Sequence, residues 1–103
     1  MDDFTMTLDK SHAAGRKFNL RGRISANEAN ILQHKLEHEF LGSCPNMVLN
    51  MRQVTFIGSG GLRVLLMFYK KAKAGGGSFY LESPSENVVN VLGMTALDQM
   101  LLR

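Results

Sequence analysis

The sequence predicts an α/β fold: a mostly parallel sheet of four or five strands with an antiparallel first strand, accompanied by about four helices. Three observations predict it. Two N-terminal segments alternate apolar and polar side chains across a short connection, as a hairpin does. Serine-led caps then open helical apolar patterns, and short apolar runs separate those helices. Strand–helix–strand alternation implies parallel pairing through crossover helices.

Phe4-Thr5-Met6-Thr7-Leu8 and Lys17-Phe18-Asn19-Leu20-Arg21 have period two, one face buried and one wet, and Lys10–Gly15 is short enough to join them as a hairpin. Ser25-Ala26-Asn27-Glu28 is a capping box. Its helix places Leu32, Leu36 and Phe40 on one stripe, and Gly42, Ser43 and Pro45 end it. Met47–Met51 reads as a strand buried on both faces. Ser59 stands at the cap position of the second helix, which reaches about Ala74 before Gly75-Gly76-Gly77 stops it. The inward stripe of that helix is Leu62, Leu65, Leu66, Tyr69 and Ala72, widened by Val64 and Phe68. Met67 falls outside the stripe among Arg63, Lys70 and Lys71, where an adaptable methionine suits a partner surface as well as a chance outlier. Ser78–Leu81 is a further buried strand. Ser83-Pro84-Ser85-Glu86 reads as a second capping box, with proline at the first helical position, opening a helix through Val88, Val89, Val91 and Leu92 to Gly93. The tail from Thr95 adds a helical turn or two with Leu97, Met100 and Leu101 inward, and room for a short final strand.

Composition narrows the function. A chain of 103 residues fits a single domain, 1–103, and 45% hydrophobic content argues against disorder. Cys44 is the only cysteine, and the acidic start Met1-Asp2-Asp3-Phe4 is unlike a secretory signal, so a reducing, cytoplasmic location is expected. No apolar run approaches the ~18 residues of a membrane span, so no insertion is expected. The net charge of +3, from 12 basic and 9 acidic side chains, is too small to argue for nucleic acid. Lys70, Lys71 and Lys73 read as cations relieving a helix C-terminus. His34 and His38 share a helix face but lack a third ligand, because His12 and Cys44 lie on separate loops, so no metal is expected. Gly75-Gly76-Gly77 lacks the Lys-Ser/Thr ending of a phosphate loop. No spacing suggests a catalytic serine or cysteine arrangement, so neither an enzyme nor a cofactor is expected.

The most informative stretch is Thr55-Phe56-Ile57-Gly58-Ser59-Gly60-Gly61-Leu62-Arg63-Val64-Leu65-Leu66. Two of the three helix starts carry glutamate three residues after the serine; after Ser59 that place holds Leu62. Gly60 and Gly61 each weaken the first turn by up to about 1 kcal/mol relative to alanine. They make sense where a partner or phosphate approaches the backbone closely. A plain serine cap on a tight turn is the simpler alternative.

Leu20-Arg21-Gly22-Arg23-Ile24, Met47–Val54, Phe56–Leu62, Ala74-Gly75-Gly76 and Val91–Leu97 together resemble a STAS domain, the sulfate-transporter and anti-sigma-factor-antagonist family. The likeness covers nearly the whole chain and is greatest to bacterial anti-anti-sigma factors. It implies a small α/β domain that binds an anti-sigma serine kinase. Phosphorylation of a serine at the start of the second helix would break the complex, and a phosphatase would restore it. Ser59 aligns with that serine. The partner surface implied is Gly58, Ser59, Gly60, Gly61, Arg63, Val64 and Met67, with Ser25 and Asn50. Gly58, Ser25 and Asn50 are neutral where family members often carry aspartate. A monomer or weak homodimer is expected. The alternative within the family is a phosphorylation-independent scaffold or small-anion or nucleotide sensor, dimerising through Met67 or sensing an anion at Gly58–Gly61.

Overall fold

The computed structural model describes residues 4–8, 16–41, 46–95, 97 and 101–102. Within them the order is β1 (Thr5–Leu8), β2 (Arg16–Ile24), α1 (Ala26–Leu41), β3 (Asn46–Ile57), α2 (Ser59–Ala74), β4 (Ser78–Glu82) and α3 (Glu86–Met94). The four strands lie in one sheet in sequence order. β1 runs antiparallel to β2, Thr5 opposite Arg21 and Leu8 opposite Phe18, while β2–β3 and β3–β4 are parallel. The expected hairpin pairing is therefore present; its Lys10–Gly15 connection lies outside the described residues. Among the described residues four strands and three helices form, where four or five strands and about four helices were expected. The tail contributes buried Leu101 and a single bridge from Leu102 to Leu81, and Met100 lies outside the described residues.

Alternation on β2 sets the layers. Phe18, Leu20 and Ile24 are buried toward the helices, whereas Arg21 and Arg23 point to solvent on the opposite face. Leu32 and Leu36 of α1 join Leu65 and Phe68 of α2 and Val88 and Leu92 of α3 in the core, which holds no buried polar or charged residue among those described. The side chain of Phe40 lies outside the described residues.

β3 is far longer than the five residues the apolar run suggested, because it continues through Arg52 and Gln53 to Ile57. It does so with two bulges. From Asn19 to Arg21 is two steps on β2 but from Asn50 to Gln53 three on β3; from Gly22 to Arg23 is one step against two from Val54 to Phe56. Pairing with β4 stops at Asn50, which leaves one edge of the bulged half without a strand. The start of α3 takes that place. Ser85 N–H donates to the Met51 carbonyl at 3.3 Å, Ser85 Oγ to Val54 at 2.6 Å, and Asn87 Nδ2 to Thr55 at 2.8 Å.

This arrangement corrects the expected cap of α3. Ser85, not Ser83, caps it, accepting from Val88 N–H at 3.4 Å, and Glu86 is the first helical residue. Ser83 instead takes the turn conformation, with φ of 50°. Ser85→Ala should lower stability by about 1–2 kcal/mol, since both a cap and a donor to a partly buried carbonyl are lost. Thermal melting should show a drop of roughly 5–10 °C. Ser83→Ala should leave it within about 0.5 kcal/mol; equal effects at the two serines would contradict the assignment.

Candidate functional site at the β3–α2 turn

β2 and β3 end side by side, Ile24 opposite Ile57, and each runs into a helix. Gly58 N–H donates to the Ile24 carbonyl at 3.0 Å, which ties the turn to β2. The Gly58 carbonyl accepts from Leu62 N–H at 3.1 Å and starts α2. Gly58 is thus the N-cap of α2, with extended backbone and no side-chain cap bond. The expected assignment of Ser59 to the cap is corrected: Ser59 is the first residue of the helix. The shift has a chemical consequence. A capping serine would spend its oxygen on backbone N–H groups, whereas Ser59 is exposed and its hydroxyl has no hydrogen bond within the described residues.

The glycines around Ser59 are not equivalent. A Cβ at Gly61 would lie 2.8 Å from Ile57 Cγ1 and 2.9 Å from Ile24 Cγ2, so Gly61 lets α2 sit down on the two strand ends. A Cβ at Gly60 would only touch that of Ala29 at 3.5 Å, and one at Gly58 would touch the Phe56 ring at 3.5 Å, both ordinary contacts. Packing therefore accounts for Gly61 but not for Gly58 or Gly60.

Of the other expected surface residues, Arg63 is exposed one helical turn beyond Ser59. Val64 is buried at 3% and belongs to the core, which removes it from any exposed face of the free chain. Met67 is half-buried against the core rather than outside the stripe. The buried stripe is Gly61, Leu62, Val64, Leu65, Phe68 and Ala72, with Leu66 and Tyr69 at its margin. The buried stripe is therefore turned slightly from the expected one, with Gly61 close against Ile24 and Ile57 in the first turn.

Ser25 follows Ile24 directly and so lies beside Gly58. Its N–H donates to Glu28 Oε1 at 3.1 Å, and its hydroxyl bonds the same oxygen. The Ser25 hydroxyl and backbone N–H, the Glu28 N–H and the nearby charge of Arg23 hold the Glu28 carboxyl below its ordinary pKa. A depressed folded-state pKa adds stability above the unfolded value, and that stability is lost as pH falls through the folded one. Glu28→Gln should flatten the acid limb of melting temperature against pH; an unchanged limb would contradict this cap. Asn50 stands apart, seven residues before the end of β3 and on the order of 20 Å of extended strand away. Its Oδ1 accepts from Arg52 N–H at 2.9 Å.

Two residues outside the expected partner surface join the turn. Phe56, 37% exposed, lies against Gly58, and the Arg23 guanidinium sits 4.5 Å above its ring. Only the β2–β3 register, which sets Arg23 opposite Phe56, could have revealed the pair. His34 and His38 flank a separate groove of about 350 Å³ with Met6, Phe18, Lys35 and Glu39. No group of three metal-ligating side chains occurs among the described residues, and no helix in them is long and apolar enough to cross a membrane.

Comparison with known proteins places this architecture. The structure superposes on the anti-sigma factor antagonist SpoIIAA in its unphosphorylated form, with TM-score 0.81 and 17% identity over 95% of this chain and 86% of that one. The phosphorylated form of the Bacillus cell fate determinant SpoIIAA matches with TM-score 0.74 and 18% identity over 95% and 89%. An anti-sigma factor antagonist from Mycobacterium paratuberculosis matches with TM-score 0.84 and 23% identity over 96% and 83%. The family model for the STAS domain matches residues 7–102, and the chain belongs to the STAS domain family.

Proposed function

We propose that this protein is an anti-sigma factor antagonist, a cytoplasmic binding module rather than an enzyme, that docks an anti-sigma kinase through the Ser59 turn and is released when Ser59 is phosphorylated. The carrying observation is the exposed, uncommitted Ser59 hydroxyl at the first position of α2. A phosphate adds about −1.5 to −2 charges. At a helix N-terminus that charge is favourable, so the fold survives and the effect is confined to the docking surface. Resemblance to SpoIIAA, whose unphosphorylated and phosphorylated forms share this fold, supports the reading. The contact surface is Gly58, Ser59, Gly60 and Arg63 with Ser25 behind them; Gly61 and Val64 support it from beneath. A phosphatase that hydrolyses the phosphate ester at Ser59 would restore the hydroxyl and reset the switch.

The test is to incubate the chain with ATP and each anti-sigma kinase of its native host and to map the phosphosite by mass spectrometry. Labelling at Ser59 with loss of the complex is expected. Stable binding with no label at Ser59 would instead support the phosphorylation-independent scaffold.

A further inference from the structure

We infer that the face of β2 and β3 that carries no helix among the described residues, with Arg21 and Arg23 on β2 and Arg52 and Phe56 on β3, docks an acidic segment of the protein partner; the inference rests on the Ser59 reading above. Lys17, Asn19, Arg21 and Arg23 occupy alternate positions of β2 and so share the face opposite the core. The first bulge of β3 brings exposed Arg52 and Gln53 to that face, where they line a polar hollow of about 220 Å³ with Asn19, Leu20 and Asn50. Bulges commonly re-aim side chains in this way.

The charge of the face is one-sided. Lys17 is matched by Glu82 at 2.5 Å. Among the described residues no carboxylate lies within ion-pair distance of Arg21, Arg23 or Arg52. Glu28 lies near Arg23 but is held by Ser25. Ser25, Asn50 and Gly58 add no opposing charge. Arginine suits this use, because its planar fork pairs with carboxylates through two hydrogen bonds.

The patch is continuous with the turn: Arg23 stacks on Phe56, and the Phe56 ring lies 3.5 Å from where a Cβ on Gly58 would sit, next to Ser59. Aromatic residues and arginine are both enriched at protein interfaces. A single-stranded nucleic acid would need several stacking rings along the groove, and Phe56, the exposed aromatic here, is already covered by Arg23. An acidic protein segment also explains how phosphorylation would act, since a dianion at the rim repels carboxylates arriving on the same face.

The test is an amide and arginine Nε NMR titration of the full chain with a polyglutamate peptide, with oligouridylate and anionic phospholipid vesicles run in parallel. Salt-sensitive shifts at Arg21, Arg23, Arg52 and Phe56 are expected. Combined Arg21→Glu, Arg23→Glu and Arg52→Glu should weaken peptide binding at least about tenfold, whereas Lys70→Glu, Lys71→Glu and Lys73→Glu should not. An Arg→Gln triple variant with unchanged melting separates lost charge from lost fold. Shifts confined to the α2 lysines, no loss in either arginine triple, or tighter binding of oligouridylate or vesicles would overturn the inference. The two readings fail separately. Kinase labelling of Ser59 without any role for the arginines sinks only this one, and arginine-dependent peptide binding without labelling sinks only the switch.

Discussion

Gly61→Val should lower the unfolding free energy by about 3 kcal/mol, the upper part of the range for forcing methyl groups into a packed core. The new Cβ would start 2.8 Å and 2.9 Å from carbons of Ile57 and Ile24, both buried and β-branched, and valine adds two further methyl groups at the same place. Those isoleucines are stiff at χ1 and sit at the ends of paired strands, so they have little room to give way. The denaturant midpoint should fall while the m-value holds. Gly60→Ala, one residue earlier, should raise stability by up to about 1 kcal/mol, because its Cβ meets only an ordinary contact at 3.5 Å and the helix loses a flexible residue. Opposite signs at adjacent glycines are the signature of a helix seated on two strand ends. A neutral Gly61→Val would mean that α2 does not pack as described.

Phosphoserine installed at position 59 should leave the melting temperature unchanged or slightly raised, while weakening the complex with a kinase-type partner at least about 100-fold. The first half follows from the site: Ser59 is the first residue of α2, and an anion there gains about 0.3–1 kcal/mol from the helix N-terminus. The second half follows from desolvation. Burying a dianion without a partner in a protein interface removes several kcal/mol, and 100-fold corresponds to about 2.7 kcal/mol. Calorimetry on the free chain and titration with the partner measure the two halves independently. Equal affinity of the two forms would remove the charge switch. A large drop in melting temperature would replace a local effect with a folding one.

Much of the fold was legible because its signals are local. The alternation at Thr5–Leu8 and Lys17–Arg21, the Ser25–Glu28 box and the glycines after Ala74 each act within a few residues, and each marks an element boundary found in the structure. Where the structure differs from the sequence pattern at α3, β3 and Val64, the cause is non-local. Ser83 and Ser85 are both plausible caps on paper, and the choice fell to Ser85 because it also reaches the open carbonyls of β3. The apolar run that marks β3 stops at Met51 because Arg52 and Gln53 interrupt it, and the half beyond them is held as a strand by β2 on one side and the start of α3 on the other. Val64 sits at the margin of the expected stripe and is buried in the structure, where the first turn of α2 lies close on Ile24 and Ile57 at Gly61.

By itself the sequence determined the order of strands and helices, the antiparallel start and a serine where a strand meets a helix, since hydrophobic period and capping chemistry act over one or two turns of chain. Tertiary structure alone decided that the Ser59 oxygen is left free by a glycine cap, that Arg23 lies on Phe56 beside it, and that Gly61 serves packing. Those facts depend on strand register and helix seating, which residues far apart in the chain settle only when they meet.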